Sequence, residues 1–93
     1  MSMKYSNKEE LVKKLTEMLD DEIEGIIEYD CIYNSMMEMG LIEEAYIVED
    51  IANEEYTHAE AMWKMLKKHG VDFSQHHTIN HNWEKVKAIF NLE

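Results

Sequence analysis

The sequence predicts an all-α fold in which an antiparallel helical hairpin and a short C-terminal helix form one domain, residues 1–93. Three observations lead to this prediction. The 93 residues contain no Pro and only three Gly, the residues that interrupt helices most strongly. Two long stretches repeat apolar residues at spacings of three and four, which is typical of helices with one buried face. Gly40 separates the stretches, and a short turn there makes them antiparallel neighbours.

The first helix is predicted over about residues 8–38. Ser6 or Asn7 is suited to cap its start. Glu9 and Glu10 place negative charge in the first turn, where the helix dipole favours it. Its inward stripe, which carries one carboxylate near the middle, consists of Leu11, Leu15, Met18, Glu22, Gly25, Tyr29, Ile32 and Met36.

The second helix is predicted over about residues 41–69, with Gly70 as its terminator. Lys64, Lys67 and Lys68 lie near its end, where positive charge is favoured. Its inward stripe consists of Leu41, Ala45, Val48, Ala52, Glu55, Ala59, Met62 and Leu66. We call the two stripes together the seam.

The remaining segment differs in character. Residues 71–82 are polar, and Asn82 is suited to cap a short third helix over about residues 83–91. Trp83 and Phe90 are expected to pack this helix onto a neighbouring subunit. Three histidines in the polar segment favour a mobile tail or a subunit contact, with a metal site as the alternative, and they are His76, His77 and His81.

The hairpin has an apolar stripe that one short helix is too small to cover. Domains of this size often bury their core by associating with another copy. The simplest closed solution is a two-fold dimer of hairpins, which forms a four-helix bundle. The sequence therefore predicts a homo-oligomer, either a dimer or a multiple of dimers.

Charge and cysteine content exclude several functions. The formal net charge of −11 argues against nucleic acid and anionic membranes as partners, and it suits a protein that collects cations. The single cysteine, Cys31, cannot form an intrachain disulfide or a cysteine-based metal site. No segment has the pattern of a signal peptide or a membrane span, so we expect a soluble, cytoplasmic protein.

Glu55 and His58 are the most informative pair, because residues three apart share a helix face and can bind one metal ion. The first helix adds Glu22 at a similar height. Di-iron bundles use a Glu from each of two helices and a Glu-x-x-His from each of the other two. This chain supplies one of each, so it carries half of a di-iron site. Two copies would hold two irons.

The neighbours of these residues fit that interpretation. Unpaired carboxylates in a seam are costly, and a bound cation removes their repulsion. Gly25, Ala52 and Ala59 leave room for metal, and the Tyr29 hydroxyl is placed to support a ligating carboxylate by a hydrogen bond. Other acidic residues are expected to form a solvated face, and they are Asp21, Glu24, Glu28 and Asp50. Glu22 and Glu55 are themselves solvated if the seam is displaced by one position.

The chain resembles the ferritin-like superfamily, in particular the first half of a rubrerythrin di-iron domain. Residues 51–59 read Ile-Ala-Asn-Glu-Glu-Tyr-Thr-His-Ala, and Tyr29 follows Glu22 by seven residues. The resemblance implies Glu22, Glu55 and His58 as iron ligands. The chain lacks the cysteines of a rubredoxin domain, and Gly25 stands where half of a rubrerythrin carries an extra carboxylate. Both departures count against peroxidase chemistry.

The two-helix architecture looks like that of the encapsulated ferritins, whose ferroxidase site forms between subunits. Asp21 and Glu24 resemble the acidic entry residues of that family, whereas Glu28 stands where Trp is usual. The resemblance implies oxidation of Fe(II) by O₂ or peroxide, for iron handling or detoxification, and a protein shell as a partner.

The sequence thus favours a dimeric di-iron ferroxidase in which Glu22, Glu55, His58 and Tyr29 form the site. The alternatives are a metal carrier or sensor without turnover, a peroxide-reducing enzyme similar to rubrerythrin, and a structural helical oligomer without metal.

Overall fold

The computed structural model describes residues 4–90, which are almost entirely helical and contain no strand. Helix α1 spans Lys8–Glu38 and helix α2 spans Ile42–Lys68. A single 3₁₀ turn, Phe73–Gln75, leads into helix α3, which spans His77–Ile89. The two long helices and their antiparallel packing are confirmed, with bounds within a residue of those expected.

Local hydrogen bonds fix both ends of α1. Asn7 caps the start, since its side chain accepts the backbone N–H of Glu10 at 2.8 Å. At the other end Gly40 has φ of +80°, a conformation that favours glycine, and it reverses the chain. The backbone N–H of Leu41 then bonds the carbonyl of Met36 at 2.9 Å, which closes the helix end in a Schellman-type turn. The short turn places α2 beside α1.

The third helix begins six residues earlier than the sequence predicted. It starts at His77, and Asn82, the expected cap, lies within its second turn. The prediction failed because residues 74–82 are polar except for Ile79. Ile79 lies on the buried face of α3 together with Trp83 and Val86. Spacings of four and three place these three side chains on one stripe. The final expected helical residue, Asn91, lies outside the described residues.

Helix α3 covers one face of the hairpin, and Trp83 anchors it there. Trp83 is only 4% exposed and stacks on the rings of Tyr56 and Trp63 of α2. Phe90 stacks on Tyr56 as well. The expectation that Trp83 packs onto a neighbouring subunit is therefore wrong, because its ring is enclosed within the chain. For Phe90, which is half-buried, it stays a prediction. Tyr56 and Trp63 lie seven residues apart and form a second apolar stripe on α2 that the single predicted seam left out.

The predicted seam is divided between two environments. On α2 the small residues Ala45, Ala52 and Ala59 are buried and allow the long helices to approach. On α1 the buried residues are instead Leu19, Ile23 and Ile26, beside the predicted stripe. The α1 part of the core is thus shifted from the predicted stripe, because α1 bears two adjacent apolar stripes and the one with Leu19, Ile23 and Ile26 is the fully buried one.

Part of the predicted stripe on α1 lies on the side of the hairpin that α3 leaves uncovered. Leu11 and Met18 are 44% and 49% exposed, and Leu11 shares a groove with Met65 across the helix pair. Residues at intervals of seven line this side. We call it the open face, and it consists of Leu11, Met18, Gly25 and Ile32 of α1 with Ile51, His58 and Met65 of α2.

The molecule has the shape of a slab measuring 49 × 36 × 17 Å. Its hydrophobic core lies between the hairpin and α3. Within residues 4–90 no helix has the length and apolar character needed to cross a bilayer.

Candidate metal centre

The structure brings Glu22, Glu55 and His58 together at mid-height of the hairpin. Each offers a donor atom, and these atoms all lie within 4.8 Å of one another. His58 Nδ1 is 3.8 Å from Glu22 Oε1. The antiparallel packing accounts for the geometry, because Glu22 near the centre of α1 faces the centre of α2, and one helical turn joins Glu55 to His58. We call these three residues the triad.

The electrostatics of the triad are those of a site that lacks positive charge. The Glu22 side chain is only 17% exposed. Its burial, together with the neighbouring Glu55 carboxyl, raises the pKa of Glu22 from 4.5 to about 7, and His58 partly opposes this shift. No Lys or Arg occurs in residues 15–63 to neutralise the two carboxylates. A bound cation would supply the missing charge.

The donor set suits a divalent transition metal. Two carboxylates and one imidazole provide oxygen and nitrogen ligands of the kind that bind Fe(II), Mn²⁺ and Zn²⁺. The His58 side chain is 65% exposed, so the triad opens onto the open face rather than into the core. Three protein ligands in one chain leave further coordination positions on that side. The residues therefore fit a metal, and the fit is incomplete within one copy.

Space beside the triad comes from Gly25, and the alanines have another role. A Cβ added at Gly25 would meet nothing within 4 Å, so the open face is vacant there. Ala52 and Ala59 were expected to open room for metal, but both are buried in the core of the hairpin. Their small size allows α1 and α2 to approach, and the closeness of the helices brings Glu22 to Glu55.

Tyr29 is not joined to the triad in the described part of the chain. It is half-buried and lines a cavity of about 180 Å³ next to Tyr33, Glu49 and Phe90. None of the side-chain hydrogen bonds among residues 4–90 links its hydroxyl to Glu22 or Glu55. Its role as a supporting residue remains a prediction.

The remaining candidates lie on the surface. The acidic residues expected to be solvated are exposed, and they are Asp21, Glu24, Glu28 and Asp50. Cys31 is exposed and free. Three exposed histidines take no part in any cluster of metal-ligating side chains among residues 4–90, and they are His76, His77 and His81.

Sequence reasoning missed the aromatic residues behind the triad. Tyr56 follows Glu55 directly but faces α3, where its ring stacks on Trp83, and its hydroxyl donates a hydrogen bond to Glu60 at 3.2 Å. Burial and this carboxylate raise the pKa of Tyr56 to about 12. The signal in the sequence was the spacing of seven between Tyr56 and Trp63, which placed both rings on one face of α2.

Comparisons with protein-family models, with curated proteins and with solved structures find no match for this chain.

Proposed function

We propose that this chain is a di-iron carboxylate protein whose metal site forms between two copies, and that the site oxidises Fe(II) with O₂ or peroxide. The observation that carries the proposal is the position of the triad. It lies in the middle of an exposed apolar face, and one of its carboxyls has a pKa raised by burial and by its neighbour.

A second copy on the open face would complete the ligand set. Two triads supply four carboxylates and two imidazoles, the set used by ferritin-like di-iron bundles. The exposed apolar residues lie on both sides of the triad along the hairpin, with Met18 and Met65 towards one end and Ile32 and Ile51 towards the other. Pairing two open faces removes these side chains from water and encloses the metal in a four-helix bundle.

The distribution of charge favours an antiparallel arrangement of the two copies. All nine basic residues lie outside residues 15–63, and seven of them lie near the start of α1 or the end of α2, which form the base of the hairpin. The tip, residues 30–50, is acidic. A two-fold axis through the triads and perpendicular to the helices places each acidic tip over the partner's lysine-rich base. This arrangement also brings the two triads face to face. A parallel pair would instead place the two acidic tips against each other, where they repel.

Fe(II) is the substrate in this proposal, and the chain supplies binding, charge and exclusion of water. Glu22 and Glu55 provide negative charge that stabilises the ferric product more than the ferrous substrate. His58 provides a neutral nitrogen ligand and fixes one end of the site. The vacant space at Gly25 admits a small oxidant such as O₂ or peroxide.

An anaerobic titration tests the proposal. Fe(II) is added to apo-protein of known oligomeric mass, and air is then admitted. We expect saturation near one iron per chain in a dimeric or larger species, followed by rapid oxidation. Glu55→Ala should abolish both effects, and Glu54→Ala is the matched control because Glu54 is exposed and precedes Glu55 directly. Equal iron oxidation by the two variants would refute the proposal.

A metal carrier or sensor is the second candidate, and one observation favours it. The three donors already lie within 4.8 Å in a single copy, so one chain can hold one cation without a partner. In that case Zn²⁺ or Mn²⁺ would bind to a monomer, and Fe(II) would bind without consuming oxygen. An oxygen electrode combined with a measurement of mass separates the two functions.

A further inference from the structure

Five aromatic rings form a continuous stack between α2, α3 and the 3₁₀ turn. The ring centroids of Phe73 and Trp63 are 3.8 Å apart, and those of Trp63 and Trp83 are 4.9 Å apart. The stack continues from Trp83 to Tyr56 at 5.6 Å, with only 2° between the ring planes, and from Tyr56 to Phe90 at 4.6 Å. Stacked rings in van der Waals contact stabilise the core, and they also overlap electronically.

The oxidisable rings of this stack are contiguous. Tyr and Trp lose one electron far more readily than Phe, so Tyr56, Trp83 and Trp63 form an unbroken redox-active row with Phe at each end. The row begins at Tyr56, whose Cα is about 3.8 Å from that of the triad residue Glu55. It ends at Trp63, which is only half-buried and therefore reaches the surface.

Tyr56 also has a route for its proton. A tyrosine that loses an electron becomes a strong acid, so its oxidation requires an acceptor in place. The Tyr56 hydroxyl donates to Glu60 Oε2 at 3.2 Å, and Glu60 Oε1 is 3.5 Å from Lys64 Nζ. The i, i+4 spacing of these residues on α2 produces this chain of polar groups.

We propose that Tyr56, Trp83 and Trp63 are a relay that supplies an electron to the triad when a single Fe(II) is bound there and peroxide is the oxidant. This inference rests on the proposed function. Reducing peroxide to two waters breaks the O–O bond and takes two electrons and two protons. Fe(II) gives one electron and becomes Fe(III). The Tyr56 O–H gives the second electron and passes its proton to Glu60, and solvent provides both protons that the two waters require.

The oxidising equivalent then moves outward. Trp83 reduces the Tyr56 radical, which recovers its proton from Glu60, and Trp63 reduces Trp83. Trp63 loses its indole proton to water and is restored by a small one-electron reductant in solution, such as ascorbate. The benefit to the protein is that a half-loaded site consumes peroxide fully, without releasing a reactive one-electron product.

The first test uses dimer loaded anaerobically with one Fe(II) and mixed with peroxide, then frozen for electron paramagnetic resonance. We expect an organic radical whose line shape changes when Trp is ring-deuterated. Trp83→Phe keeps a ring in the stack but should confine the radical to Tyr56. Tyr56→Phe should remove the radical from the row.

Tyr46→Phe is the control, because Tyr46 is 53% exposed and lies outside the stack. The helix content and melting temperature of Tyr56→Phe are first compared with those of the wild type. If the variant is folded like the wild type and gives the same radical yield, the relay is overturned.

A second test separates failure of the relay from failure of the iron site. In metal-free protein carrying Tyr5→Phe and Tyr46→Phe, a photogenerated oxidant in solution should oxidise Trp63, and the radical should appear at Tyr56. Migration that disappears in Trp83→Phe supports the relay even where Fe(II) is not oxidised. Oxidation of Fe(II) without migration retains the proposed function and rejects the relay.

Discussion

At the scale of single residues, Glu22 combines a buried position with an unfavourable charge. Its carboxyl lies between a second carboxyl and the apolar residues of the hairpin, so the protonated form is favoured and the pKa rises to about 7. Metal binding requires the deprotonated form, so metal affinity should increase with pH, and binding should release a proton. In the proposed site the same residue is therefore a source of instability without metal and a ligand with it.

The raised pKa predicts how the stability of metal-free protein depends on pH. Between pH 4.5 and about 7 the folded state retains a proton on Glu22 that the unfolded state has released. The folded state therefore binds more protons, and its free energy of unfolding falls as pH rises through this window. Melting temperatures measured across the window should decline in the wild type, and Glu22→Gln should flatten the profile. Glu54→Gln, which changes an exposed carboxylate, should leave the slope as it is.

Metal should reverse this loss of stability. A ligand that binds only the folded state at 100 times its dissociation constant adds about 2.7 kcal/mol at 25 °C. Zn²⁺, which does not undergo redox chemistry, should raise the melting temperature of the wild type at neutral pH. His58→Ala and Glu22→Ala should each abolish most of the increase, whereas His77→Ala should not. A chelator that leaves the melting temperature of Zn²⁺-loaded protein unaltered would contradict a site at the triad.

At the scale of helices, the fold was predictable wherever the apolar residues recurred on a single stripe. The bounds of α1 and α2 follow from Asn7, Gly40 and Gly70, which mark the helix ends in the sequence as clearly as in the structure. The displaced stripe on α1 was not predictable, because that helix bears two adjacent apolar stripes and their spacing alone does not show which of them packs in the core. The early start of α3 was missed because a single residue, Ile79, carries its first apolar contact.

The triad was predictable for a related reason. Glu55 and His58 lie on one helix, so their spacing alone brings them together, and Glu22 lies at the matching height of an antiparallel neighbour. The direction of the Tyr29 side chain depends on the rotation of α1 about its axis, and the spacing of residues in the sequence does not determine that rotation. The structure accordingly joins the first three residues and places Tyr29 beside Phe90.

Helix α3 provides the test at this scale. Trp83→Ala removes a ring that is almost fully buried between Tyr56 and Trp63, and it should reduce the free energy of unfolding by about 3–5 kcal/mol. Ile47→Ala, at an exposed position of α2, should change it by less than about 0.5 kcal/mol. The free energies of unfolding are compared by urea denaturation at protein concentrations below the dissociation constant of any dimer. A loss that depends on protein concentration would instead indicate that Trp83 packs between subunits.

At the scale of the whole molecule, the slab has one covered side and one uncovered side. The covered side carries α3, and the open face carries the triad among exposed methionines and isoleucines. The proposed dimer therefore buries apolar area and completes the metal site in the same step. Association and metal binding should consequently be coupled, so that each strengthens the other by the same factor.

A charge on the open face should separate the copies while leaving each one folded. Met18→Asp places a carboxylate near the centre of the proposed interface and should shift sedimentation towards the monomer, with a weaker affinity for the second metal. Tyr46→Asp is the matched control, because Tyr46 lies five residues before Ile51 and thus on another side of α2. If both variants sediment like the wild type, the open face is not the interface between copies.

The burial pattern of α2 separates two tasks along one helix. Residues 52, 56, 59, 63 and 66 face the core or α1, whereas residues 51, 58 and 65 face away from it. Substitutions on the second set should leave the packing of the first set intact, because the two sets lie on different sides of the helix. One side of α2 should therefore tolerate changes that the other side, held by its packing, does not.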